Sequence, residues 1–528
     1  MGDMWRHEYD IPNMEDVLED LFEQLLPFYQ QLHAYVRRKL DRMYPGYLYR
    51  DGPLPAHLLG NMWGNSWLNL YDYTTPFPGK WSLNPTVTMH QKVLHFPRFF
   101  CQNYTVEKMF RDAEQFYQSM GFPALPEMFW KKSMLSQPSD RAVVCLPAAV
   151  DFRDGKDFRV KMCSGISADD FIQAHHQLGH IYYYMAYSHL PMAFRDGANP
   201  AFHDAVGATI SLSVRTGEHM YKLGLLPTLQ NDTEADINYL YRTALDRIAF
   251  LPFGYLVDKW RWSVFAQKYD QSNLNKGWWD LREKYQGVTA PIPRSEADFD
   301  AGSTFHVAQN IPYIRYFISY IMQFQFLKSL CQTAGHVGPS MNCDITGSKE
   351  AGDKLWKMMQ LGASVPWQEA LYTVTGSRTL DVGPLLEYFE PLQKWLQNEN
   401  EKHGDYVGWG NSGEAFPPPA PFEDKTTPHS TSAVEIPQDE EVWRSPNQKT
   451  DQDTSFINFE HSPSPVTVGV TSNSTISREL LTSSPQPVTT VEPTILKGSA
   501  SGLCFHSGHM NWFIPTIIVS TIVNLWQI

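Results

Sequence analysis

Apolar residues recur at helical spacing through most of the chain up to residue 409. Over residues 14–40, Val17, Leu18, Leu21, Leu25, Phe28 and Leu32 share one face, with acids near the start and Arg37, Arg38 and Lys39 near the end, the charge order a helix dipole favours. Similar patterns predict helices over 105–120, 169–188, 201–224, 234–268, 311–334, 349–360 and 383–402. Extended candidates, 142–150 and 157–162, are short, so the ordered part is expected to be mainly α. From Gly404 onward the pattern dissolves, and Phe416-Pro-Pro-Pro-Ala-Pro421 opens a Pro-, Ser- and Thr-rich stretch without periodic apolar faces. This predicts an ordered domain over 1–409, a disordered stalk over 410–502 and a hydrophobic tail over 503–528.

The tail run Trp512–Leu525 is uncharged and mostly apolar, and falls short of the ~20 residues a bilayer span needs. Small residues at Ser499, Ala500, Ser501 and Gly502, a spacer to about Asn511 and an uncharged end match a lipid-anchor addition signal, with a membrane segment as the other reading. No signal peptide is visible within residues 1–40, which lack a charged n-region followed by an apolar h-region.

The chain has 528 residues, a length that on its own fits two to four ordinary domains. A formal charge of -14 leaves no basic surplus to neutralise phosphates, which argues against nucleic acid as a partner. Six cysteines are too few for a disulfide scaffold, yet Cys145 with Cys163 and Cys331 with Cys343 are spaced to close short loops. Sequons at Asn103, Asn231 and Asn473 permit glycosylation and, with the cysteine pairs, favour an oxidising compartment.

The chemistry concentrates in Ala174-His175-His176-Gln177-Leu178-Gly179-His180. His176 and His180 stand four apart on a predicted helix, so both imidazoles project from one face and can hold one zinc. On spacing alone a structural histidine pair fits as well. A zinc hydrolase needs a Glu after the first histidine, to take a proton from the attacking water and pass it to the leaving amine. Gln177 stands there and has no carboxylate to accept that proton. Downstream, Gly197-Ala-Asn-Pro-Ala-Phe-His203-Asp204 opens another helix and offers a carboxylate as a candidate third ligand.

The run from His175 through Arg195, Gly197-Ala-Asn-Pro200 and Phe202-His203 closely resembles the active-site region of the angiotensin-converting enzyme family, with its His-Glu-Met-Gly-His and Gly-Ala-Asn-Pro-Gly-Phe-His-Glu. The resemblance continues in Pro55-Ala-His-Leu-Leu-Gly-Asn-Met-Trp63, Ala249-Phe-Leu-Pro-Phe253, Trp260-Arg-Trp262, Phe305-His306, Pro312-Tyr-Ile-Arg-Tyr-Phe317 and Lys349-Glu-Ala-Gly352, and covers approximately residues 3–409. Within the family the chain looks most like the third, catalytically substituted paralogue. The resemblance implies an ellipsoidal, helical zincin-type peptidase domain with a deep central cleft, here shortened of its N-terminal helices. It implies one zinc, bound chloride, and removal of dipeptides from peptide C-termini.

Carried over residue by residue, the resemblance places His176 and His180 on the histidine ligands and Asp204 on a glutamate ligand. Asp204 is one methylene shorter, roughly 1.5 Å along an extended chain, so coordination would need backbone or helix movement. Ala208 stands where the family has an aspartate orienting a metal-bound imidazole. Asn65, Thr304 and Tyr313 fall on the substrate-carboxylate pocket, where Thr304 replaces a lysine and Asn65 a glutamine. Ala149 falls on the substrate-binding strand, and Leu146 replaces a histidine nearby. His306 and Tyr316 match groups that hold the substrate backbone and stabilise an oxyanion. Tyr9 with Arg315 matches one chloride site, and Trp278 with Arg282 part of the other. The two cysteine pairs match family disulfides.

Together these departures imply an inactive zinc-peptidase homologue with a weakened metal site that binds a peptide or cell-surface protein, and the resemblance with the tail places it on the extracellular face of the plasma membrane or secreted. The alternative is residual peptidyl-dipeptidase activity.

Overall fold

The computed structural model describes residues 1–80, 104–226, 229 and 232–410, and these belong to one compact unit rather than the several domains that length alone allows. The stalk, the tail and the sequons at Asn103, Asn231 and Asn473 lie outside the described residues.

Helices dominate the described residues, and strands are confined to two short pairings. Leu54–Pro55 pairs in parallel with Val288–Thr289, and Ala148–Asp151 pairs antiparallel with Phe158–Lys161, with Ala149 opposite Val160. The apolar stripe beginning at residue 14 becomes the Met14–Met43 helix, which buries Leu18, Leu21, Leu25, Phe28 and Leu32. The pattern over 234–268 becomes Thr233–Phe265, a helix buried on most of its circumference, as a central helix must be. Asp232 caps it, accepting from the backbone N–H of Glu234 and Ala235.

At three places the structure departs from the periodicity. The stretch 201–224 is not one helix. Phe202–Val214 ends at Arg215, and Thr216 caps a separate Gly217–Lys222 helix by accepting from His219 N–H. Trp367–Thr375 and Leu274–Leu281 are also helical, each too short for its apolar positions to declare a period.

Three helices set the position of the histidine motif: Ala168–Tyr187, which we term the histidine helix, Phe202–Val214, the aspartate helix, and Ile314–Thr333. The aspartate helix packs against both of the others. Ser167 caps the histidine helix through Asp170 N–H, with Asp169 and Asp170 in the first turn. Glycines allow the close crossing. A Cβ on Gly179 would stand 3.0 Å from Gly207 Cα, and a Cβ on Gly207 would stand 2.9 Å from the His176 ring. Cys145–Cys163 and Cys331–Cys343 are disulfides, the first fastening the chain around the Ala148–Asp151 hairpin and the second the end of the Ile314–Thr333 helix.

Candidate metal and peptide site

The histidine helix presents His176 and His180 one turn apart, and the first turn of the aspartate helix delivers Asp204 to them. Ligand atoms of these three residues all lie within 4.8 Å of one another. The two Nε2 atoms are 3.2 Å apart. Two nitrogens bonded to one tetrahedral zinc at about 2.0–2.1 Å stand about 3.3 Å apart, so the imidazole pair already spans a zinc. Asp204 Oδ1 lies 3.9 Å from His180 Nε2, about half an ångström beyond the tetrahedral separation. Burial pushes both imidazoles below their ordinary pKa, keeping them in the neutral form that ligates a metal.

Around the ligands, support is uneven. His176 has a backbone hydrogen bond to Gly207, and the neighbouring Ala208 is buried with no acceptor to offer. His203, unassigned by the sequence reading, is half-buried with both ring nitrogens enclosed, and its ring centroid lies 5.6 Å from that of His180 and 4.3 Å from that of Tyr183. It walls the ligand on its outer side. Gln177 is buried beside the pair, and its Oε1 has no hydrogen-bond partner among the described residues. A buried acceptor without a partner suits a polar ligand or an ion. This donor set therefore fits zinc, with a third ligand that must shift to coordinate.

The residues that the resemblance assigns to peptide binding come from other parts of the chain. Ala149 sits on the Ala148–Asp151 strand, where its carbonyl accepts from Tyr184 Oη at 3.3 Å, tying the strand to the histidine helix. Leu146 is 70% exposed and offers an apolar surface at that end. His306 Nε2 lies 3.0 Å from Tyr316 Oη, and Arg315 Nη2 donates to the same hydroxyl at 3.2 Å. Burial, then the Arg315 and Arg261 guanidiniums, push His306 down to about 4, so it is neutral at physiological pH. Asn65 hydrogen-bonds to Tyr313, and Thr304 Oγ1 is buried without a partner.

A buried pair that the sequence reading missed holds His306 and Tyr316 in place. Asp258 Oδ2 accepts from the backbone N–H groups of Tyr313 and Ile314, both at 2.7 Å, at the start of the Ile314–Thr333 helix. Asp258 Oδ1 accepts from Arg261, whose Nη1 donates to the His306 carbonyl at 3.1 Å. An Asp and an Arg three apart inside the apolar run 249–262 were the available signal, because such charges inside a core must pair.

Both regions assigned to chloride contain buried cations with open donors. Arg282 is 2% exposed and makes no ion pair among the described residues. Its Nη1 donates to the Trp63 carbonyl at 2.6 Å, while Nε and Nη2 have no hydrogen-bond partner. Its guanidinium lies 5.9 Å from the Trp278 ring centroid, and burial pushes its pKa down to about 10. Tyr9 Oη and Arg315 Nε are likewise buried and unpartnered, and the two groups act on each other electrostatically.

The family profile described as angiotensin-converting enzyme, peptidase family M2, matches residues 1–409. The chain is 49% identical over 410 residues to the angiotensin-converting enzyme of Mus musculus, covering 77% of this chain and 30% of that protein. It is 45% identical over 408 residues to the enzyme of Theromyzon tessulatum, covering 77% of this chain and 65% of that protein. Identity to the Mus musculus angiotensin-converting enzyme-like protein Ace3 is 44% over 418 residues, covering 79% of this chain and 55% of that protein. The chain thus spans only part of the length of each relative. No described helix is long and apolar enough to cross a membrane. With the profile match extending through the histidine pair, Asp204 and both disulfides, this chain belongs to the angiotensin-converting enzyme family of metallopeptidases.

Proposed function

We propose that this chain is a catalytically silent member of its family that uses the peptide-binding scaffold as an extracellular binding surface, tethered through its C-terminal tail or secreted. The observation that carries this reading is Gln177, buried beside His176 and His180 where the reaction needs a carboxylate. Zinc, when bound, supplies Lewis-acid polarisation of a carbonyl and lowers the pKa of water. His176, His180 and Asp204 would hold it, and Gln177 can orient a water through hydrogen bonds without taking its proton. His306 and Tyr316 remain placed to hold a peptide carbonyl. Thr304 offers no cation to a terminal carboxylate, so peptides are held mainly along the backbone. Peptide turnover by zinc-loaded protein is the test, and a rate within tenfold of an active family member would sink the proposal. The intact His306–Tyr316 pair favours the second reading, residual peptidyl-dipeptidase activity, which the same assay detects as chelator-sensitive turnover.

The metal site itself makes a separate prediction. Purified protein should bind zinc at the histidine pair, and loss of the outer carboxylate at Ala208 should weaken it by about 10–100-fold relative to Ala208→Asp. Metal analysis against His180→Ala reads this directly. Equal zinc contents in the two proteins would defeat a specific site.

Chloride is proposed at Arg282 with Trp278 and at Arg315 with Tyr9, on the unpartnered buried donors at each. At equal ionic strength, chloride should raise the thermal midpoint above that in gluconate. A ligand at a hundredfold its Kd contributes about 2.7 kcal/mol. Arg282→Met should remove most of the difference, and equal midpoints for the unaltered protein in the two salts would refute the assignment.

A further inference from the structure

Away from the histidine cluster, and sharing no residue with it, a cavity of about 530 Å³ lies between the C-terminal end of the Met14–Met43 helix, the turn at residues 49–51 and the chain leaving the Gly383–His403 helix. That volume falls in the ~300–1,000 Å³ range of small-molecule sites. Arg37, Arg38, Arg42 and Arg50 all line it. Such convergence runs against the protein's own balance, in which 57 acidic residues outnumber 43 basic ones.

Four guanidinium groups meet three lining carboxylates, with Glu399 beside Arg38 as a fourth. Of the three lining carboxylates, Asp405 is taken by Arg38 at 2.6 Å. Asp51 acts on Arg37, a 3% exposed cation whose hydrogen bonds go to the backbone carbonyls of Gly52, Tyr406 and Gly408. Arg42 and Arg50 line the cavity together with Asp41, are exposed and make no ion pair among the described residues. Arg38 Nη2 is buried without a hydrogen-bond partner, 3.6 Å from Glu399. Burial, then Arg38 and Arg42, push the neighbouring Lys39 ammonium down, and Glu399 opposes them. Tyr49 and Tyr406, 44% and 51% exposed, form part of the lining, with the Arg37 guanidinium 5.9 Å from the Tyr406 ring centroid.

We propose that this cavity is a binding site for a small anionic ligand in which a ring carries sulfate or phosphate groups. Arg42 and Arg50 clamp the anionic groups through paired N–H donors, the geometry guanidinium provides and ammonium does not. Tyr49 and Tyr406 pack against the ring. Arg37 and Arg38 are held by their existing partners, so the clamp rests on Arg42 and Arg50.

The test is calorimetric titration of the full chain with two probes at fixed ionic strength, a heparin-derived sulfated disaccharide and ADP, against the double variant Arg42→Glu/Arg50→Glu. Both positions are exposed, so the thermal midpoint should stay unchanged and certify folding. Saturable binding of either probe, weakened about tenfold or more in the double variant, supports the site, and the probe that binds says whether sulfate or phosphate is recognised. Arg141→Glu, at an exposed arginine elsewhere, controls for diffuse charge. Saturable binding of neither probe, unchanged affinity in the double variant, or an equal loss in Arg141→Glu would overturn the proposal.

Discussion

Gln177→Glu alone should leave peptide turnover well short of the roughly 10²–10⁴-fold gain that a positioned acid/base ordinarily supplies. A carboxylate at this position restores the proton acceptor but acts on a metal site whose other parts have also changed. Asp204 Oδ1 stands 3.9 Å from His180 Nε2, too far for a relaxed tetrahedral ligand. His176 leans on a backbone hydrogen bond to Gly207, with Ala208 unable to accept from it. Adding Asp204→Glu and Ala208→Asp should therefore raise kcat/KM by a further ~10–100-fold over the single variant, with zinc content rising in parallel. Thr304 should keep KM for a C-terminally free peptide high even in the triple variant. If Gln177→Glu alone matched the triple variant in both zinc content and kcat/KM, the wider loss inferred for the site would be wrong.

Asp258→Ala should be among the most destabilising single changes in the chain, costing about 3–5 kcal/mol. It removes the acceptor for two backbone N–H groups at the start of the Ile314–Thr333 helix and leaves Arg261 buried without its counter-charge. Burial pushes the Asp258 carboxyl up, and Arg261 with those two N–H groups pulls it back, so the partners make the charge tolerable there. Denaturant unfolding reads the effect. Arg261→Ala should cost a similar amount, and the double variant much less than the sum, because the second substitution removes a charge the first has already stranded. A loss below about 1 kcal/mol for Asp258→Ala would show that the pair is dispensable. The site should respond too, since Arg261 also holds the His306 carbonyl at 3.1 Å.

Much of this architecture was legible in the chain because it is written in local pattern. The stripe from Val17 to Leu32 has one buried solution, a helix with that face inward, and the Met14–Met43 helix follows it. Four-residue spacing puts His176 and His180 on one face of any helix, and Gln177 excludes a carboxylate at that position whatever the fold. The disulfide pairs and the Asp204 ligand came from the resemblance, and spacing alone left the histidine pair open.

Other features were settled by distances between residues far apart in sequence. The half-ångström shortfall at Asp204 depends on how closely Gly179 and Gly207 let two helices cross. Periodicity ran straight through Thr216, because a capping hydroxyl and a surface hydroxyl look the same in sequence. The resemblance assigned Arg282 with Trp278 to a chloride site, and only tertiary packing left two of its donors buried without partners. Asp258 and Arg261 looked like charges on a helix until the fold carried Tyr313, Ile314 and His306 to them. The sequence by itself determined the helices, the histidine face and the missing carboxylate, since each depends on neighbours within a turn or two. The tertiary structure alone decided which polar groups were satisfied and how far each ligand fell from its metal position, because burial and sub-ångström separations arise where distant elements meet.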